Sequence, residues 1–154
     1  MGDFMIGCKA KCVASREAPR ELLNFSSDTL PNFALGFFVI VLAVFEWRSI
    51  LEDATTTLHT DNTSAFGAIL NTGSTSNAIS SVTMRLWYLI DQLKMWVWLG
   101  PVSSPLNIAD LPTRDQVCPF PTERQTSFLS FDESYRVFTQ LSLNDFLTYF
   151  DDII

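Results

Sequence analysis

The sequence predicts an α/β fold in which a helix is followed by two parallel strands joined by a helical crossover, with a helical tail at the C-terminus. Three observations predict it. Positions 33–45 form an apolar run without a formal charge. Two short strand-like segments, 54–60 and 95–99, flank a stretch with helical apolar periodicity. Beyond a Pro-bearing stretch, apolar residues return at helical spacing from Tyr135 to Ile154. A chain of 154 residues that is 47% hydrophobic can bury the core of one domain, which argues against disorder throughout.

Residues 1–30 mix Lys9, Lys11, Arg16 and Arg20 with Glu17 and Glu21 and have no sustained apolar period, so they read as a poorly ordered arm. Helix 33–51 follows, with Asn32 after Pro31 as the expected cap. Glu46 and Arg48 interrupt the apolar run before it reaches the roughly 20 residues of a membrane span, which favours burial inside a protein core. Segment 54–60 carries Thr55, Thr56 and Thr57 and reads as a strand. Asp61 is expected to end that strand and begin a helix reaching Leu70, with Ala65, Phe66, Ile69 and Leu70 on its apolar face. On residue type alone Asp61 suits a helix cap.

A turn spans 71–76, where Gly73 is expected in the left-handed conformation that ends helices. Helix 77–94 is amphipathic, with Ile79, Val82, Leu86, Leu89 and Leu93 on one stripe, widened by Trp87 and Tyr88. In 95–99 every residue is apolar, which suits a strand buried on both faces or nearly so. Strand, two helices and strand make a crossover, and such connections between parallel strands are right-handed almost without exception. Both strands then end at one edge of the sheet. Pro101 and Pro105 stiffen the loop that follows, Asn107 can cap a short helix and Pro112 limits it.

Residues 115–127, with Pro119 and Pro121, read as a linker, and 128–154 as an acidic amphipathic helical tail divided near Ser142. The linker implies that few contacts cross between tail and domain, so unit 31–114 is expected to fold without it. The tail is free to dock on the domain, to bind a partner helix or to have no selected role.

The net charge of −7 counts against strong electrostatic binding of nucleic acid. Much of the excess lies in the tail, where Asp132, Glu133, Asp145, Asp151 and Asp152 face Arg136 alone. Three Cys residues, an odd number, suit a reducing intracellular compartment, cytoplasmic or nuclear, rather than secretion. Cys8 and Cys12 lack a second Cys or His pair at zinc-site spacing and read as free thiols. His59, the only histidine, reads as packed or solvated rather than catalytic.

Two blocks stand out. The first is Thr60-Asp61-Asn62-Thr63-Ser64-Ala65; the second, about fifty residues on, is Pro101-Val102-Ser103-Ser104-Pro105-Leu106-Asn107-Ile108-Ala109-Asp110-Leu111-Pro112-Thr113-Arg114. With an aromatic-rich strand before the second block, the stretch 34–114 resembles the C-terminal half of the RNase H-like domain that follows reverse transcriptase in retroelement polyproteins. The resemblance implies that Asp61 and Asp110 hold divalent metal, Mg²⁺ or Mn²⁺, for hydrolysis of RNA in an RNA·DNA hybrid. It also makes helix 33–51 the helix that crosses the sheet, with Trp47 matching that helix's usual Trp.

The pattern is incomplete. Gly36 stands where the family carries a metal-binding Glu, and the family's first-strand Asp and early hairpins have no counterpart. Two-metal hydrolysis needs one ion at the attacking oxygen and one at the leaving oxygen, and two carboxylates do not complete that site. The expectation is a partial RNase H-like domain, degenerate and inactive alone, unless a polymerase domain or another chain supplies the missing strands. The competing reading is a small interaction or membrane-associated protein that docks through the apolar helix 33–45 and the acidic tail.

Overall fold

A computed structural model describes residues 2–6, 11–15, 31–108 and 131–151. Within the stretch expected to be a poorly ordered arm, β1 (Gly2–Ile6) and β2 (Lys11–Ser15) pair antiparallel, with Gly2 opposite Ser15. Cys8 and the rest of that stretch lie outside the described residues.

The apolar run becomes α1 (Pro31–Glu46). Pro31 occupies the first helical position, where its fixed φ suits the helix and its missing N–H goes unmissed. Asn32 therefore lies in the first turn rather than capping it. Phe37, Phe38, Val41, Val44 and Phe45 are fully buried. The expected single helix 33–51 is instead two, because a turn at Trp47 separates α1 from α2 (Arg48–Leu51). The Arg48 guanidinium donates to the Phe45 carbonyl at 2.8 Å and lies 4.7 Å from the centre of the Phe45 ring, so it satisfies an orphan carbonyl at the end of α1. Trp47 is buried, and its indole Nε1 has no hydrogen-bond partner among the described residues.

After α2 come β3 (Thr55–Thr60), α3 (Thr63–Leu70), α4 (Asn77–Gln92) and β4 (Trp96–Pro101). β3 and β4 pair in parallel, in register from Thr55 opposite Trp96 to Thr60 opposite Pro101. The expected crossover and the shared direction of the two strands are therefore present. Ser76 caps α4 by accepting from the Ile79 N–H. The stripe Ile79, Val82, Leu86, Leu89 and Leu93 is buried as its period requires.

Helices α3 and α4 end alike. The Gly73 N–H donates to Ala68 and the Thr72 N–H to Ile69; after α4 the Met95 N–H donates to Ile90 and the Lys94 N–H to Asp91. This is the Schellman arrangement, which places the residue just past the cap in the left-handed region. The residues there are Thr72, at φ 56°, and Lys94, at φ 50°. Gly73 is not the left-handed residue that its sequence position suggested.

The sheet buries one face. Leu58, Val97 and Leu99 pack against the helical core, while Thr55, Thr57 and His59 of β3 and Trp96 and Trp98 of β4 are exposed on the other side. The expectation of a strand buried on both faces is corrected. Trp96 and Trp98 keep 75% and 70% of their surface in solvent.

The tail docks. In α5 (Phe131–Thr139) and α6 (Leu143–Asp151), Val137, Phe138 and Phe146 are buried in the same core as α1 and α4. The Phe138 ring centre stands 5.7 Å from that of Phe45 and 5.5 Å from that of Phe146, both edge-to-face. Arg85, buried on α4, donates to the carbonyls of Val137 at 3.0 Å and Leu141 at 2.6 Å, and its guanidinium sits 5.0 Å from the Phe146 ring centre. Burial pushes the Arg85 pKa down from its usual value, yet a guanidinium stays charged at any ordinary pH. A cation on the Val137 carbonyl in the last turn of α5 is favourably placed against the helix dipole, and the Leu141 carbonyl it also holds lies just past that helix. The expectation that few contacts cross to the tail is thus overturned, since losing even one fully buried Phe side chain costs about 3–5 kcal/mol. No helix among the described residues is long and apolar enough to cross a membrane.

Candidate functional site

The place where β3 ends is the part of the molecule that the two sequence blocks select. Its backbone is held by Asn62. The Asn62 side-chain oxygen accepts from the Ala65 N–H at 3.0 Å, so Asn62 caps α3. Its amide nitrogen donates to the Asn32 carbonyl at 2.8 Å, in the first turn of α1. Its own N–H donates to the Thr60 hydroxyl at 3.1 Å. One residue, through its side chain and its own N–H, thereby ties the end of β3, the start of α3 and the start of α1.

Asp61 precedes this knot and is not the cap that residue type suggested. It is partly exposed, and among the described residues its carboxylate has no hydrogen-bond or ion-pair partner.

Gly36 lies against the same knot. A Cβ built there would come within 2.8 Å of the Asn62 Cβ and Cγ and still closer to its amide nitrogen. This contact is too short for any side chain, so glycine is what lets α1 approach the strand end. The position that the resemblance assigns to a metal-binding Glu is therefore next to the residue that follows Asp61, but it offers no oxygen and no room for one.

On the adjacent strand, β4 continues past Pro101 with the Val102 N–H donating to the Thr60 carbonyl at 3.0 Å, so the loop of the second block leaves from beside Asp61. A short 3₁₀ turn, Ser104–Leu106, follows, with Asn107 at its C-terminal end. The helix expected after Asn107, and Asp110 with it, lies outside the described residues. His59 is exposed, with its imidazole against Gly100: a Cβ there would meet its Cε1 and Nδ1 at 2.8 Å.

Among the described residues no group of three or more His, Cys, Asp or Glu side chains is arranged to hold a metal ion. Asp61 alone does not make the oxygen cage that Mg²⁺ or Mn²⁺ requires for two-metal chemistry, and Asn62 fills the space a third carboxylate would need. The described residues do not fit a complete metal centre.

Two features escaped the sequence reading. Asn62 as the cap had a signal in the sequence, since Asn is at least as good a cap as Asp and stands one residue nearer the first apolar position, Ala65. The exposed indoles had none, because alternation between Trp and Val or Leu does not say which set faces inward. The chain matches no protein-family model, no curated protein and no solved structure.

Proposed function

We propose that this chain is a degenerate RNase H-like domain of retroelement type, descended from a metal-dependent nuclease acting on RNA·DNA hybrids and inactive by itself. The observation that carries the reading is the contact of Gly36 with Asn62. It sets the crossing helix against the end of the strand that bears Asp61, which is where the resemblance calls for a metal-binding Glu, and it does so in a form that excludes one. The parallel β3–β4 pair with its two-helix crossover agrees with the same topology.

The chemistry follows from what is lacking. Phosphodiester hydrolysis by two metals needs carboxylates to fix both ions, one beside the attacking water and one beside the leaving oxygen. Asp61 and Asp110 together supply two carboxylates, enough for a hydrated ion shared with substrate phosphates but not for the pair. The role left to Asp61 is electrostatic, attracting a hydrated divalent cation to the strand end. The test is cleavage of an RNA·DNA hybrid by purified chain in Mg²⁺ or Mn²⁺, beside an Asp61→Asn control. The expected result is no turnover in either; multiple turnovers abolished by Asp61→Asn would overturn the reading of inactivity.

A second reading, a small interaction protein, draws support from the exposed Trp96 and Trp98. It loses the surfaces first assigned to it, because the apolar face of α1 is occupied by the chain's own core and by the tail.

A further inference from the structure

The outer face of the β3–β4 sheet is unusual for a parallel pair, since parallel strands are nearly always covered on both sides. Here it carries Thr55, Thr57 and His59 on one strand and Trp96 and Trp98 on the other, all exposed. Thr55, Thr57, Trp96 and Trp98 carry no ionisable group. A patch of this kind marks a contact surface.

The register gives the face a shape. Thr55 stands opposite Trp96 and Thr57 opposite Trp98, so a row of small side chains runs beside a row of large ones. The next pair reverses the sizes, with the His59 ring lying over Gly100. Consider two copies of this face related by a two-fold axis that runs between them, parallel to the strands. β4 of each copy then lies over β3 of the other, and each row of indoles meets a row of threonines. The same operation sets Asp53, which precedes β3, at the end where Lys94 of the other copy precedes β4. Both residues are exposed, and their charges are opposite.

We propose that this face binds a second copy of the chain in that isologous arrangement. A ridge that meets its partner's trough on both sides is the self-complementarity a two-fold interface requires. The absence of Asp, Glu, Lys and Arg from the paired strands matters in a chain of net charge −7, because two copies meet there without repulsion. The area is sufficient but not generous. Two largely exposed indoles contribute about 300 Å². With Thr55, Thr57 and His59 the face reaches about 500 Å² per copy, or about 1,000 Å² in all, the least that a specific interface buries. The dimer is accordingly reversible.

Sedimentation equilibrium of the full chain tests this. The expected result is a monomer–dimer equilibrium, with mass rising towards twice the 17.4 kDa of the chain and a Kd of about 10–100 µM, as suits a small interface. Trp98→Lys removes an anchor and should raise Kd at least about 30-fold. Thr57→Lys, which removes no apolar anchor but fills the trough, should do the same, whereas Met84→Lys at an exposed position on α4 should leave Kd unchanged. Far-UV circular dichroism and the urea midpoint report whether each variant is folded. A chain that stays monomeric at about 100 µM, or a dimer that withstands both lysines, overturns the proposal. So does quenching of indole fluorescence by a single-stranded oligonucleotide in a monomeric chain, which would assign the face to base stacking.

Discussion

Gly36→Ala separates two accounts of one residue. On helix propensity alone, alanine in the interior of α1 should stabilise the chain by about 1 kcal/mol. The structure predicts the opposite sign, because the new methyl meets Asn62 at 2.8 Å or less. Asn62 has little freedom to withdraw while its amide bonds both Ala65 and Asn32. Forcing a methyl into such a contact costs about 1–3 kcal/mol. If the side chain swings away instead, the lost cap costs about 0.5–2 kcal/mol, and the lost bond to Asn32 about 1 kcal/mol. Set against the gain in propensity, the net destabilisation is about 0–2 kcal/mol, centred near 1, or up to about 8 °C in Tm for a chain of this size. Urea denaturation of Gly36→Ala, Asn62→Gly and the double variant closes the cycle. Asn62→Gly alone should cost little as a cap, since glycine is tolerated there, and it removes every side-chain atom that the methyl meets. In that background Gly36→Ala should stabilise by about 1 kcal/mol. If Gly36→Ala stabilises the unmodified chain as well, the close approach is not what fixes glycine at this position, and the reasoning fails.

The other expectations are simpler. Thr72→Gly should stabilise by about 1 kcal/mol, because a β-branched residue at φ 56° is strained where glycine is preferred; an unchanged urea midpoint would count against strain there. Arg85→Met keeps much of the side-chain volume but strips the donors from the Val137 and Leu141 carbonyls. It should cost about 2 kcal/mol or more, and amide exchange in α5 should quicken more than in α3; equal quickening in both helices would contradict the placement of Arg85 as the tie to the tail.

How much of this was legible in the sequence varies with the range of the interaction concerned. The stripe on α4 was legible because five apolar residues at helical spacing define a face without reference to anything else. The two strands and their parallel pairing were legible because β-branched and aromatic runs separated by two helices leave few topologies open. The outward set of Trp96 and Trp98 was not, since both sets of side chains in β4 are apolar and only the helices beneath decide which is covered. The tail's docking was equally hidden. Its apolar stripes could be read, but not that Phe138 and Phe146 meet Phe45 and Tyr88 across a Pro-bearing stretch. At the candidate site, the place of Asp61 at a strand end was legible from the β-branched run Thr55–Thr57 before it. Its freedom from capping depends on Asn62, and the reason for Gly36 depends on a contact 26 positions away, which neither composition nor periodicity contains.

The central claim is that the loop of the second block brings Asp110 to Asp61, completing what remains of a nuclease site. Spin labels on cysteines replacing Asp61 and Asp110, in a chain whose Cys8, Cys12 and Cys118 are changed to Ser, measure that approach through dipolar broadening. Two carboxylates able to share one metal-bound site lie within about 12 Å of each other. The account predicts strong broadening that disappears on urea unfolding. Spectra of the folded, doubly labelled chain that equal the sum of its singly labelled forms would show that Asp61 and Asp110 do not converge, and would contradict the RNase H-like reading.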